Sequence, residues 1–535
     1  MTLFNNIATH FRRKAVENEL ATVRMQNQLA LEKVKSEYID KATNYGYSNG
    51  GASRKKHSMK GWDADSGSPQ QDIDLNLDLL RQRSRDSYMS APIATAAIKS
   101  NRTNCIGEGL VLSSKVDYRT LGITKEQAEE LEYTIEKEWK LWSESTLCDI
   151  KGIHTFMELQ QIAFLSWLLN GDCFALPVYA KKEKWYMPYQ LRIRLLEGDK
   201  ISSPGEQGDY IDLYKRNKDN GNRIVNGVEI NDEGTVQAYW VCNGYQSEPT
   251  VKKWVRIEAF GENTGNPNVL HIFDAERCEQ YRGVPFLAPV LEVLKQLTRY
   301  QEAEVMAAVI NGLFTVFVTT EDGADNVDFS GIDDEYEENE ENEEEDHNYK
   351  LGNGLVNYLK QGEKIEIADA KRPNTNFDPF VKAFCKYIGA ALEIPVELLL
   401  LEFTASYSAS RGALLQAWKA FRMRRSWFSK DFCQPVFEIW MAEAVSKGRI
   451  NAPGFFNNPI LRKAYCGTTW NGPAAGQLDP VKEATGAKLR IENGLSTRER
   501  ESIEINGSDF NENVSQLVIE QRKMNEIGGM NNGEN

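Results

Sequence analysis

The sequence predicts a multidomain protein that mixes helices and sheets, an α+β fold. Its 535 residues exceed the usual size of one domain, and 41% of them are hydrophobic while 26% are charged, which is ordinary for a globular chain. Long helical patterns alternate with runs such as CFALPVYA and TVQAYWVC, which carry the β-branched and aromatic residues of strands. These observations exclude a single small module.

The first element is a predicted helix at 14–42, which lacks Gly and Pro, followed by a basic linker rich in Gly, Ser and Asn. The linker is a solvated arm or a contact to nucleic acid. A second region, from 72 to about 278, opens with helices at 75–89 and 124–144. A further helix after His154 leads to four strand-like runs. We expect His154 to have a surface or capping role.

The third region is a helical hairpin. Its first helix, predicted from Pro285 to Asn311, would be a rod of roughly 40 Å. A strand, an acidic segment and a further strand-like pair follow, and a second helix returns over 378–392. The fourth region starts with the hydroxyl-rich loop FTASYSASRG. A long helix then follows that Pro435 should kink and that ends at Lys447-Gly448. Residues from 479 to near 527 are predicted helical, with a disordered tail.

The negative charge of the chain is concentrated in one segment. The formal net charge is -15, and residues 333–346 (DDEYEENEENEEED) hold 11 acids in 14 positions, which leaves 63 basic against 67 acidic residues elsewhere. This balance argues against a protein that coats nucleic acid by neutralising phosphates. The acidic run lacks the Gly and the spacing of a calcium loop, so its composition favours a solvated loop over a cation site.

The sequence carries no sign of membrane insertion, secretion or catalysis. No apolar run reaches the ~18 residues of a membrane span, and no secretory signal precedes the basic residues at 12–14. The eight cysteines form no metal-binding spacing, which predicts reduced and mostly buried thiols. Phosphate-binding loops and the HExxH and GxSxG motifs do not occur in the sequence. A metal-dependent nuclease would need paired acids with a nearby His or Lys, which the sequence does not provide. We therefore expect neither enzymatic activity nor a cofactor or metal.

Four stretches resemble the lambda-type portal proteins of tailed bacteriophages, and they occur in that family's order within residues 40–525. They are LRQRSRDSYMSAPIATAAIKSNRTNCIGEGL (80–110), YRGVPFLAPVLEVLKQLTRYQEAEVMAAV (281–309), IGAALEIPVELLLLEFTASYSASRGALLQAWKAF (388–421) and LDPVKEATGAKLRIENGLSTRERESIEINGSDF (478–510). Cys105 stands where the family usually has an aliphatic residue. The acidic run resembles an insertion and inherits no function from the family.

The resemblance implies a portal fold that forms a ring, typically of twelve subunits, at a unique capsid vertex. Double-stranded DNA would be packaged and later ejected through its channel. The implied parts are an N-terminal helix and linker (1–71), a wing (72–284), stem helices (285–312 and 378–395), a clip with the acidic run (313–377), a tunnel loop (396–410), a long kinked helix (411–447) and a crown side with tail (448–535).

The implied partners are other copies of the chain, the terminase large subunit, head completion or tail connector proteins, and the major capsid and scaffold proteins. No membrane is implied. The implied location is the virion, after assembly in the host bacterial cytoplasm. The alternative is a capsid assembly adaptor or scaffold without a channel, and oligomeric state distinguishes the two because a portal must close into a ring.

Four groups of residues are candidates for function, and none is catalytic. The tunnel loop would face DNA, unless it is an ordinary surface turn, through Glu402, Phe403, Thr404, Ser406 and Tyr407. Phosphates or carboxylates of a neighbouring subunit would bind Arg411, Lys419, Arg422, Arg424 and Arg425. Inter-subunit ion pairs would involve Arg81, Arg83 and Arg85. A ring of clip carboxylates, serving motor docking or DNA repulsion, would contain Asp333, Asp334, Glu335, Glu343, Glu344 and Glu345.

Overall fold

The structure is a computed structural model that divides into two units, Met1–Gly67 and Ser68–Asn535. It describes residues 23, 25–30, 33, 52–53, 56–62, 66–182, 184–205, 212–245, 248–312, 316–320, 363–367, 376–403, 406–476, 479–508 and 510–531. In the first unit, residues 25–30 are helical and a 3-10 turn spans His57–Met59. The rest of the predicted N-terminal helix, much of the basic linker and the acidic run lie outside the described residues.

Thirteen α-helices of five residues or more occur in the described part of the second unit. They are α1 (Leu77–Ser90), α2 (Pro92–Cys105), α3 (Lys125–Ser143), α4 (Phe156–Asn170), α5 (Leu291–Gly312), α6 (Phe377–Ala391), α7 (Val396–Leu400), α8 (Tyr407–Phe428), α9 (Gln434–Ser446), α10 (Pro459–Tyr465), α11 (Pro480–Glu492), α12 (Arg498–Asn506) and α13 (Phe510–Asn531). Single helical turns at Pro69–Asp72 and Tyr118–Leu121 add to them.

The strands form small antiparallel sheets, which confirms the mixed helix and sheet class. They are β1 (Val111–Ser114), β2 (Asp172–Tyr179), β3 (Leu191–Glu197), β4 (Arg223–Val225), β5 (Val228–Ile230), β6 (Val236–Cys242), β7 (Trp254–Glu258), β8 (Leu270–Phe273), β9 (Val316–Thr320), β10 (Glu363–Ile367) and β11 (Thr468–Asn471). The sheet orders are β4-β5-β6-β7, β3-β2-β8, β1-β11 and β10-β9.

Local side-chain chemistry explains the ends of the two long helices that were predicted in the second region. Thr124 and Gln127 form a capping box at the start of α3, and Thr155 and Glu158 form another at the start of α4. Each box satisfies main-chain N–H groups that the first helical turn leaves without a partner. Gly171 ends α4 with φ at 85°, a left-handed conformation that glycine adopts without strain.

One hydrophobic core joins residues that are far apart in the sequence. Trp139 of α3 packs edge-on against Phe156, Phe437 and Trp440, with ring centroids 5.1–5.5 Å apart. In the same region β1 pairs with β11, so that Leu112 faces Trp470 across the sheet. The regions that the sequence divides at 284, 411 and 448 therefore share a core. A second, smaller core lies between β2 and the β4-β5-β6-β7 sheet and includes Phe174 and Tyr239.

Two predicted helix boundaries are wrong, and a π-helical turn lies where the long helix was predicted to kink. The first hairpin helix begins at Leu291 rather than Pro285, after a 3-10 turn at Ala288–Val290, and its 22 residues span about 33 Å. A π-helical turn, Ser429–Cys433, precedes Pro435, because proline has no N–H to continue the α-helical bonding pattern. The last helix continues to Asn531, into the tail that was predicted to be disordered.

Within the described residues, no helix is both long and apolar enough to span a membrane. All eight cysteines are free thiols, and seven of them are buried while Cys278 is exposed. This distribution confirms that the thiols are mostly buried.

Candidate functional site

The two helices of the predicted hairpin pack against each other through aromatic side chains. The ring of Tyr300 on α5 lies 5.8 Å from the ring of Phe377 and 4.5 Å from that of Phe380, both on α6. Strand β9 follows α5 and strand β10 precedes α6, and these two strands form an antiparallel pair. A helical hairpin with a β element at its far end is therefore present.

A short loop joins α7 to α8 and holds the first group of candidate residues. Leu401 ends α7 in a left-handed conformation, with φ at 54°, and its side chain is 79% exposed. Phe403 is 51% exposed. Between them, the Glu402 carboxylate accepts a hydrogen bond of 2.9 Å from the Lys382 ammonium on α6. This ion pair holds the loop against α6 and leaves two apolar side chains in solvent.

The loop is shorter than predicted because α8 begins at Tyr407. The Ser406 hydroxyl accepts a hydrogen bond of 3.4 Å from the Ala409 N–H and so caps the helix. Ser, Asp, Asn and Thr are favoured at this position because their side chains satisfy free N–H groups of the first turn. Tyr407 therefore belongs to the helix, and Thr404 lies outside the described residues.

Two of the candidate cations on α8 are structural. Arg424 is buried, and its guanidinium donates to the Glu393 carboxylate at 2.7 Å and to the Asn101 side chain at 3.2 Å. Arg425 donates to the main-chain carbonyls of Asn104, Cys105 and Pro473, each within 2.9 Å. Burial lowers the pKa of both guanidiniums. The buried Arg424 is therefore not available to phosphates or to a neighbouring subunit, whereas the partly exposed Arg425 keeps this role as a prediction.

The remaining candidate cations on α8 lie closer to solvent. Arg411 pairs with Glu483 at 2.9 Å, and Arg422 lies 3.7 Å from Glu504. Lys419 is exposed and has no ion-pair partner within the part of the chain that the structure describes. It lines a cleft of about 550 Å³ between α6, α7 and α8. Among these three residues, Arg411 and Arg422 lie near carboxylates of the same chain, and Lys419 has no ion-pair partner among the described residues.

The arginines of α1 also pair within the chain. Arg81 is buried and donates to Asp172 at 3.0 Å, while Arg85 donates to the Asn170 side chain and to Asp199. The expectation of inter-subunit ion pairs is therefore wrong for Arg81, which no second subunit can reach. Arg83 is exposed and keeps its candidate role as a prediction.

The partner of Arg81 belongs to a buried charge cluster that sequence reasoning missed. The Asp172 carboxylate also binds the Arg282 guanidinium, and Arg282 donates further to the carbonyls of Ile201, Asn226 and Gly198. Burial alone opposes ionisation of Asp172, but the charges of Arg282 and Arg81 outweigh it and lower the pKa of Asp172 below its ordinary value. The carboxylate is therefore ionised inside the protein and holds α1, β2 and the segment before α5 together.

His271 lies beside this cluster. Its ring stacks between those of Phe174 and Phe273, and its Nε2 is 3.6 Å from the Asp172 carboxylate. Burial lowers the pKa of His271, so the imidazole is neutral at pH 7. A single His and a single Asp without a motif give no sequence signal for such a cluster.

The described residues contain no group of three or more His, Cys, Asp or Glu side chains arranged to hold a metal ion. The six candidate acids of the clip lie outside the described residues. The candidate site therefore consists of the loop between α7 and α8, together with ion pairs that α1 and α8 form within the chain.

Comparison with known proteins identifies the family. The family model for phage portal proteins of the lambda family matches residues 55–425. The chain belongs to this portal family. It is 25% identical to portal protein B of Escherichia phage lambda over 497 residues, which are 90% of each chain. It is 24% identical to the portal protein of Escherichia phage N15 over 500 residues, which cover 90% of this chain and 91% of the other.

Among solved structures, the portal chain is similar to a chain from the neck of a native gene transfer agent particle computed with C12 symmetry. The identity is 13% and the TM-score 0.39, over 80% of this chain and 92% of the other. The family resemblance inferred from four sequence stretches is thus confirmed by the family model and the relatives. A portal protein of this family is a structural component of the virion and forms its DNA channel.

Proposed function

We propose that this portal protein assembles as a ring of about twelve copies at one capsid vertex, and that its loop at 401–406 borders the narrowest part of the channel. The observation that carries the proposal is the position of the loop. It joins α7 to α8 and is held to α6 by the ion pair of Glu402 with Lys382, while the Phe403 side chain is exposed to solvent. A tethered loop between two rigid helices can follow a moving duplex without detaching from the wall.

The pairing of the basic residues supports a channel that DNA slides through. Cations that neutralise phosphates make binding strong and salt-dependent. On α8, however, Arg411 holds Glu483, and Arg424 and Arg425 are used inside the chain. Few cations therefore remain to hold the duplex, so a DNA molecule that passes α8 meets a nearly neutral wall.

The other parts follow the family pattern. The α5 and α6 hairpin would form the stem, and the β9-β10 pair with the intervening residues would form the clip. Residues 72–284 would form the wing, 411–447 the long helix and 448–535 the crown side. The clip would bind the terminase large subunit and later the head completion proteins. The wing would contact capsid and scaffold proteins during assembly in the bacterial host.

The acidic run 333–346 would form a ring of carboxylates near the channel mouth, where it serves motor docking or DNA repulsion. Deletion of these residues should weaken terminase binding or DNA packaging. Unchanged packaging together with unchanged terminase binding would remove this role.

The loop is tested in a packaging reaction with assembled rings. The Glu402→Ala/Phe403→Ala/Ser406→Gly variant should form rings but package and retain less DNA. Lys463→Ala, an exposed change outside the loop, is the matched control and should package normally. Packaging and retention at the control level in the loop variant would show that these side chains do not act on DNA.

A further inference from the structure

A groove with an apolar floor runs along one side of α4. Its floor is formed by Ile162, Leu165 and Leu169, which recur at three- and four-residue intervals and therefore share one face of the helix. The groove has a volume of about 700 Å³ and is completed by β3 and Tyr245. We call it the α4 groove. Its floor remains partly exposed to solvent although the opposite side of α4 is buried.

The rim of the α4 groove is basic. It contains Arg85, Lys151, Arg194 and Lys200, against one acid, Glu197. Arg85 is paired with Asp199, and Lys200 lies 3.8 Å from the Tyr245 ring centroid. Lys151 and Arg194 are exposed and have no ion-pair partner among the residues described here. The groove therefore fits a partner whose apolar side chains cover the floor and whose acidic side chains meet the basic rim.

Helix α3 carries acidic and apolar side chains along one exposed side, with one lysine among them. Its inner side is buried through Ile135, Trp139 and Trp142. Its outer side, which we call the α3 ridge, consists of Glu126, Glu130, Tyr133, Lys137 and Leu141. Tyr133 is 68% exposed and Leu141 is 42% exposed. Within the described part of the chain, Glu126 and Glu130 have no ion-pair partner.

We propose that the α3 ridge of one copy lies in the α4 groove of the next copy around the ring. This inference rests on the proposed ring. A ring needs a head-to-tail interface in which two different patches of one chain are complementary. Here Tyr133 and Leu141 would cover the apolar floor, while Glu126 and Glu130 would meet Lys151 and Arg194. Duplex DNA fits the groove less well, because it would leave the apolar floor uncovered.

Charge reversal of the full-length chain tests the contact. The groove variant is Lys151→Glu/Arg194→Glu, the ridge variant is Glu126→Lys/Glu130→Lys, and a third variant combines all four changes. The control, Lys218→Glu/Lys463→Glu, makes the same change in charge as the groove variant, at exposed positions outside both surfaces. Assembly is followed by mass photometry over a dilution series at low and at physiological salt. Thermal unfolding verifies that each variant folds.

The groove and ridge variants should each need about tenfold more protein for half-assembly than the control, with a smaller difference at high salt. The combined variant should assemble within about twofold of the unmodified chain, because both charges of each pair are exchanged. Assembly of either reversed variant at the control level, or no rescue in the combined variant, would overturn the contact while leaving the ring intact.

Two further outcomes are also decisive. If the groove variant assembles normally but loses binding to a fluorescent DNA duplex, the groove is a phosphate-binding surface and the proposed contact is wrong. If the unmodified chain forms no ring under any condition, the proposed function fails and the contact fails with it.

Discussion

The Arg282 Nε lies 2.6 Å from the Asp172 Oδ2, and neither side chain is exposed to solvent. Arg81 binds the same carboxylate, and it also lies 3.8 Å from Asp78 and 3.6 Å from Asp199. Asp172 is thus the one fully buried anion shared by these two buried cations. Removing one partner of a buried ion pair leaves the other charge uncompensated, which typically costs about 3–5 kcal/mol. We expect Asp172→Asn to lower the free energy of unfolding by about this amount in urea titrations.

Asp199→Asn is the comparison variant, since Asp199 pairs with Arg85 at the edge of the same cluster, lies 3.6 Å from Arg81 and is partly exposed. Its cost should be about 1 kcal/mol. Equal costs for the two variants would contradict the assignment of Asp172 as the centre of the cluster.

The stability of the chain should depend on the protonation of Asp74. Its burial raises the pKa from 3.8 to about 6, although Arg282 and Asn226 act in the opposite direction. The folded protein therefore keeps this proton over a pH range in which the unfolded chain has lost it. The stabilisation from the proton is fully present below pH 3.8 and is lost as the pH rises through about 6.

Asp74→Asn removes this dependence because the amide does not ionise. Relative to the unmodified protein, the variant should gain about 2 kcal/mol in free energy of unfolding between pH 4 and pH 7. Urea unfolding at the two pH values measures the gain. Asp232→Asn, at an exposed position, should show no such gain. A pH-independent difference between Asp74→Asn and the unmodified chain would refute the raised pKa.

Arg425→Lys should destabilise the fold although it preserves the charge. The Arg425 guanidinium donates to three carbonyls that belong to α2 and to the segment after β11. A lysine ammonium cannot reproduce this planar set of donors. We expect a loss of about 2 kcal/mol in thermal or urea unfolding. Arg422→Lys, at an exposed site, should cost less than about 0.5 kcal/mol, and similar losses in both variants would exclude a structural role for Arg425.

Ser406→Ala should loosen the start of α8. The hydroxyl caps the Ala409 N–H, and loss of such a cap costs about 1 kcal/mol. Hydrogen exchange at 407–411 should therefore become about fivefold faster. Ser446→Ala, at the other end of the long helix, should leave exchange at 407–411 unchanged. Unaltered exchange in Ser406→Ala would mean that the cap does not hold this turn.

Short sequence patterns predicted those helices that begin at a capping residue. The capping pairs Thr124/Gln127 and Thr155/Glu158 lie where α3 and α4 begin, close to the predicted starts. The runs around Cys173 and Val236 are strands because their β-branched and aromatic residues cover buried sheet faces. Residues that are close together in the sequence are sufficient to predict such helices and strands.

Long-range pairing escaped prediction. Strand β1 pairs with β11 through four residues on each side, and such short runs give no pattern that identifies a partner more than 350 positions away. For the same reason, Arg81 in the charged stretch LRQRSRD was expected at the surface, where arginines usually lie. Arg81 is buried because it binds Asp172, which lies 91 positions away in the sequence, so the residues around Arg81 give no indication of this contact. The candidate loop was predicted from its hydroxyl-rich composition and its role in the channel from family resemblance, but the Glu402–Lys382 pair required coordinates.

The mass and symmetry of the purified full-length chain test the ring most directly. Native mass spectrometry together with negative-stain class averages should show a closed ring of about twelve copies around a central passage. A monomer or dimer at micromolar concentration, with no ring even in the presence of capsid and scaffold proteins, would contradict the ring and every assignment to its channel.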